Sequence, residues 1–206
     1  MQILKNLFST AIIMACTFIA NAQSDAALQK AFSESYTQEY YKKYPEAIAA
    51  LSKVTDENSY ELNLRLGWLY YNNKNYSQSA KNYQKAASLK PYSIEAKLGL
   101  VKPLAVLESW DAVMQQYEEI LKIDPQNYTA NYWAGNIYYN RKKYDAASKH
   151  FEKLVNLYPF DYDANHMLAW TYLNQGKNND AKILFNVALL IKPADASCLA
   201  GLAKIK

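Results

Sequence analysis

The residues best equipped for chemistry are few. His150 and His166 stand 16 residues apart. Neither has a second ligand at helical spacing, so they read as exposed or groove-lining histidines rather than a metal pair. Cys198 has no neighbouring base in the sequence. Burial is its ordinary reading, and an intermolecular disulfide in an oxidising compartment is the alternative. Glu118-Glu119 and Asp161-Asp163 are the nearest things to the paired carboxylates of a hydrolase. Asp161 is accounted for below as a helix cap, and the two glutamates fall on a solvated helix face. The five glycines fall within one repeating pattern, so no phosphate-cradling loop remains. The sequence therefore predicts no catalytic residues, no metal and no cofactor.

What remains is an architecture. The chain has 206 residues, half of them apolar, with 23 basic and 19 acidic side chains and a net charge of +4. It is too apolar to be disordered and too weakly basic for a nucleic-acid binder. At the N-terminus, Lys5 precedes an apolar run from Leu7 to Ala20, and Ala20-Asn21-Ala22 forms an A-x-A cleavage pattern before Gln23. Residues 1–22 thus read as a signal peptide, predicting an exported, periplasmic or secreted protein without a membrane span after cleavage. Lipid attachment at Cys16, after Ile13-Met14-Ala15, is the rival processing route.

Past that segment a period of 34 organises the chain. Pro91, Pro125, Pro159 and Pro193 are 34 residues apart, as are Ser59, Ser93, Asn127, Asp161 and Asp195, and as are Ser77, Asp111, Asp145 and Asn179. The last two series contain only residues that cap helix N-termini, so each period predicts two helix starts. Each proline falls just past a second helix, which it cannot continue. Between caps the apolar spacing is helical: Leu62, Leu66, Leu69 and Tyr70 in one segment, Ala147, Phe151, Leu154 and Leu157 in another. Gly67 and Gly135 share one column of the repeat, Gly99 and Gly201 another, which predicts close approach of helices at those points. Pro103 is anomalous, since it falls inside a first helix.

The pattern resembles the tetratricopeptide repeat family. The resemblance is carried by Leu66-Gly67, Tyr70, Ser79, Tyr83, Ala86 and Pro91. It recurs as Ala134-Gly135, Tyr138, Ala147, Phe151, Leu154 and Pro159, and again as Leu168-Ala169, Tyr172, Ala181, Phe185, Ala188 and Pro193. Residues 94–127 depart from it, with Val101 for the glycine and Leu104 for the tyrosine. The expected fold is all-α, an α-α superhelix of four repeats (60–93, 94–127, 128–161 and 162–195). A degenerate N-terminal hairpin over 23–59 would precede them, and a capping helix over 196–206 would cover the last repeat's apolar face.

The resemblance implies that first helices line a concave groove and that the protein binds peptides or proteins without catalysis. Four-residue spacing places Tyr132 and His166 in one inward column, Trp68, Lys102, Asn136 and Trp170 in the next, and Tyr71 and Tyr139 beyond. These eight are the expected ligand-binding residues. Asn72, Asn140 and Asn174 follow, with amides suited to an extended peptide backbone. The family's version that grips acidic tails needs several groove cations and amides, and here only Arg65, Lys102 and Asn136 are arguable members. The expected function is a non-catalytic scaffold of the bacterial cell envelope, binding a peptide segment or partner subunit, with self-association left open. A glycan-binding module is the alternative, requiring Trp68 or Trp170 flat and exposed.

Overall fold

The computed structural model describes residues 25–54 and 58–205. The expected signal peptide, residues 1–22, lies outside them. The described residues are helical, with no strand among them. They form two compact units, one ending at Leu107 and the other beginning at Glu108.

The first unit holds α1 (25–40), α2 (Tyr44–Ser52), α3 (Tyr60–Asn72), α4 (Tyr76–Leu89) and α5 (Ile94–Val106). The second holds α6 (Trp110–Ile123), α7 (Tyr128–Asn140), α8 (Tyr144–Leu157), α9 (Tyr162–Asn174), α10 (Asn178–Ile191) and α11 (Ala196–Ala203). Within each unit, helices adjacent in sequence pack on one another, as α3 does on α4 and α9 on α10.

The first-helix starts are set by side chains. Ser59, Ser93, Asn127, Asp161 and Asp195 each accept a backbone N–H three residues on, at 2.8–3.2 Å. Each satisfies one of the donors that a helix start leaves unpaired. The second-helix series behaves differently from expectation. α4, α6, α8 and α10 start at Tyr76, Trp110, Tyr144 and Asn178, and their N-cap positions are Asn75, Ser109, Lys143 and Lys177. Ser77, Asp111, Asp145 and Asn179 therefore lie inside the first turn rather than capping it.

The reason lies in the turn before. Lys74, Glu108, Lys142 and Gly176, again 34 apart, all adopt the left-handed conformation, with φ from 55° to 77°. At three of these turns the following N–H (Asn75, Lys143, Lys177) bonds back to Tyr70, Tyr138 or Tyr172 at 2.9 Å, a closure that fixes where the next helix begins. The displaced carboxylates are used elsewhere. Asp111 takes Arg141 and Asp145 takes Gln175, each at 2.8 Å, tying successive turns of the second unit together.

The cores rest on rings seated against glycines. In the first unit the buried Tyr83 ring lies between α3 and α5. A Cβ on Gly67 would come within 2.8 Å of it, and one on Gly99 within 2.3 Å. In the second, Phe151 sits against Gly135 and Phe185 against Gly201, with both rings fully buried. The glycines let helices close on a ring that any side chain would hold away. Ala31, Ile48, Leu51, Leu62 and Leu69 form the N-terminal core.

Candidate peptide-binding groove

A cavity of about 820 Å³ opens in the first unit, and the repeat explains how its walls arise. On α3 and α5 the same three levels, 34 residues apart, face it: Glu61 and Glu95, Leu64 and Leu98, Trp68 and Lys102. Phe32 and Tyr36 of α1 form another wall, and Tyr83 lies deep within it. Its middle is thus apolar and its ends charged.

At one end Lys102, exposed on α5, holds its ammonium 4.9 Å from the centre of the Trp68 ring. The Trp68 indole N–H donates to Glu39 of α1. Glu39 also pairs with Arg65, whose side chain is 7 % exposed. Arg65 donates further to Ser35 and stacks over Tyr36 at 3.8 Å, while its Nη2 is buried without an acceptor. At the other end Glu61 pairs with Lys90 at 2.9 Å, which holds its carboxyl below the usual range. Glu95 is exposed and accepts the Tyr60 hydroxyl at 3.3 Å.

Of the residues expected to bind, Trp68 and Lys102 meet in this cavity. Tyr71 is on the same helix but packs edge-on against Tyr76, with ring centres 5.6 Å apart. The five in the second unit are engaged within it. Tyr132 stacks on Tyr128 and meets Phe151 edge-on. The Asn136 amide donates to the Tyr132 carbonyl of its own helix at 2.8 Å. Tyr139 accepts from Asn174 at 3.1 Å and packs on Tyr144.

His166 and Trp170 both reach Ser197 of α11, at 2.8 and 3.0 Å. Trp170 further donates to His166, packs edge-on to Phe185 and lies beneath Lys204. Packing by α11 accounts for this pair, and the half-buried Trp170 face is not a flat exposed platform. The Asn72 and Asn174 amides likewise turn back to carbonyls of their own helices. The acid-gripping set is not assembled as a cluster in the first unit. Arg65 is committed to Glu39, and Asn136 belongs to the second unit.

Sequence reading missed Phe32, Tyr36, Glu61 and Glu95. The repeat could have supplied Glu61 and Glu95, which share a column one level before Leu64 and Leu98. Phe32 and Tyr36 belong to a helix without the repeat signature, so nothing in the spacing pointed to them.

Among the described residues one grouping could offer ligand atoms to a metal: His166, Asp195 and Cys198, all within 4.8 Å. Its members already have other partners. Asp195 caps α11 through the Cys198 N–H at 3.0 Å and pairs with Lys192 at 3.0 Å, interactions that hold its carboxyl far below the usual range. Burial, assisted by Asp195, pushes the Cys198 thiol up to about 11. A buried thiol of this kind is a poor nucleophile and cannot reach a second chain, against the intermolecular disulfide. His150 stacks on Tyr138 and contacts Asn131 at 3.1 Å. Neither histidine is exposed.

Paired capped helices at a fixed period, closing on glycine-seated rings and leaving a cavity lined by first helices, define a helical-repeat interaction protein. The chain belongs to the tetratricopeptide repeat family, whose models match residues 42–94, 107–164 and 142–205. No curated protein matches it in sequence. Among solved structures, it is similar to a tetratricopeptide repeat protein from Parabacteroides merdae, with 18 % identity and a TM-score of 0.75 over 87 % of this chain and 72 % of that one. It is similar to MamA, with 21 % identity and a TM-score of 0.71 over 81 % and 92 %. It is also similar to YrrB, a TPR protein with an unusual peptide-binding site, with 17 % identity and a TM-score of 0.67 over 81 % and 87 %. The fold is the all-α solenoid type of these proteins.

Proposed function

We propose that this protein is a non-catalytic interaction scaffold that holds an extended peptide segment of a partner in the groove of its first unit. The observation that carries the reading is the cavity of about 820 Å³ whose walls present Trp68, Leu64 and Leu98 between charged ends. Such a volume accommodates one or two large side chains, and an aromatic wall supplies contact area at small rotamer cost. The peptide-binding description of YrrB, similar in fold, supports the same reading. A sugar would require a free aromatic face, but the Trp68 ring already carries the Lys102 ammonium, so the peptide is favoured over the glycan.

Panning a random-peptide library against the chain from Gln23 onward tests this. Enriched peptides should shift tryptophan emission and lose affinity in Trp68→Ala. A chain that enriches none while binding cell-wall glycan fragments would replace the peptide with a sugar.

We further propose that the scaffold works in the cell envelope after export. The support is the apolar run and A-x-A pattern of residues 1–22, together with the absence, among the described residues, of any helix long and apolar enough to cross a membrane. Intact mass of the protein recovered from the envelope should begin at Gln23. A lipid-modified species beginning at Cys16 would place it on a membrane instead.

A further inference from the structure

The groove of the first unit is electrically polarised along its length. Glu95 and Lys102 lie on one face of α5, seven residues apart, or about 10 Å at the rise of an α-helix. Glu61 and Trp68 repeat the interval on α3. The charges around these ends do not cancel locally. Glu61 is offset by Lys90, which leaves the exposed Glu95 as the net charge at the helix-start end. Arg65 is offset by Glu39, which leaves Lys102 as the net charge at the other. Among the described residues no ion pair engages either Glu95 or Lys102. Between them the wall is Leu64, Leu98 and Gly99, with Tyr83 beneath.

We infer that this groove selects an extended segment carrying one basic and one acidic side chain about four residues apart with a large apolar side chain midway between them. The acid would meet Lys102 beside Trp68, the base would meet Glu95, and the apolar side chain would enter over Leu64 and Leu98. The spacing follows because alternate side chains of an extended chain share a face. Positions i, i+2 and i+4 meet the groove together, and at about 3.3 Å per residue they span about 13 Å, within reach of long side chains for charges about 10 Å apart. A like-charged segment would meet repulsion at one end, which is how charge arrangement rejects wrong partners. The inference rests on the peptide-groove reading and adds the partner's chemistry to it.

The test uses the chain from Gln23 onward and synthetic peptides of one length on a Gly/Ser background. One pair places Lys and Glu four apart with a Phe midway, in both orders. The others carry two Glu, two Lys or two Gln at those positions. At low salt, one or both of the mixed-charge peptides should bind about tenfold more tightly than either like-charged one, and the advantage should fade as salt rises. Lys102→Glu, a change at an exposed position, should transfer the preference to the two-Lys peptide. If the two-Gln peptide binds as tightly as the mixed pair, with no response to salt, the peptide groove stands and the charge selectivity is overturned. If no peptide binds, including the two-Gln one, the groove reading falls and the inference with it.

Discussion

At the scale of single residues, much of the order in this protein comes from polar side chains that never meet a ligand. Asn131 and Asn165, 34 apart and each 1 % exposed, send their amides to the carbonyls of the preceding proline and N-cap. Each thereby fastens a first helix to the turn that delivers it. Asn165→Ala would leave the Pro159 carbonyl without the amide donor, and the Asp161 carbonyl with only the backbone N–H of residue 165. It should lower stability by about 1–3 kcal/mol, seen as an earlier chemical-denaturation midpoint. An unchanged midpoint would mean that water replaces the amide.

The two histidines set an acid limit. Burial lowers the folded-state pKa of both His150 and His166, with Lys153 adding to the effect at His150. Asp195 and Asp163 oppose it at His166. A group whose folded pKa lies below its unfolded value binds protons more readily when unfolded. Its stabilising contribution is complete above about pH 6.5 and is lost as pH falls below it through the folded values. Asp195, also depressed, loses its contribution only lower, beginning near the ordinary carboxylate range. Melting temperatures followed from pH 8 to 5 should fall below about pH 6.5 and fall less in His166→Gln. Identical profiles for the two proteins would show that His166 is not what titrates.

At the scale of elements, Pro103 is the instructive irregularity. It lies ten residues into α5, yet the helix continues through it from Ile94 to Val106, and Leu107 bonds back to its carbonyl at 3.0 Å. The ring is fully buried, in the column occupied by Leu69, Ile137 and Thr171 in the other repeats. Its volume thus serves the core, while the missing N–H leaves the Gly99 carbonyl without its helical partner. Gly99 itself is fixed by the Tyr83 ring, which Gly67 confines from the other side.

These two facts separate what proline contributes from what it removes. Pro103→Ile keeps an apolar volume in the column and restores the donor, so it should stabilise by about 1–3 kcal/mol, read as a higher melting temperature. Pro103→Ala restores the donor but leaves a void, and should gain less. Equal melting of all three proteins would show that the helix has already absorbed the defect. Affinity for the library-selected peptides, measured on the same proteins, tells whether the proline also shapes the groove.

At the scale of the whole molecule, contacts within each unit run between neighbours in sequence, and stability should follow suit. α11 is held to the last hairpin through Gly201 and Cys198 against Phe185, and through Ser197 to His166 and Trp170. Deleting 196–206 exposes Phe185 and releases Trp170. Hydrogen exchange should then quicken first in 162–195, while 60–93 keeps its protection. Uniform loosening would contradict nearest-neighbour stability, and no change would deny α11 a capping role.

The sequence by itself determined the helices, their period and the family. Caps, prolines and apolar spacing act through bonds and contacts a few residues long, and repetition over four copies removes the ambiguity of any single one. The glycine columns were legible for the same reason, since only a close approach explains them. Tertiary structure decided the rest. Ser77, Asp111, Asp145 and Asn179 have the chemistry of caps, but the left-handed turn residue before them moved the helix starts ahead of them. Trp68 and Trp170 occupy the same column and look equivalent in sequence. One lines an open cavity because α1 stands beside it with Phe32 and Tyr36, while the other is covered because α11 brings Ser197 and Lys204 to it. Repetition fixes what a column contains, but the neighbour packed against it fixes whether that column is open, and α1 and α11, the two helices that decide this, are the ones that break the repeat.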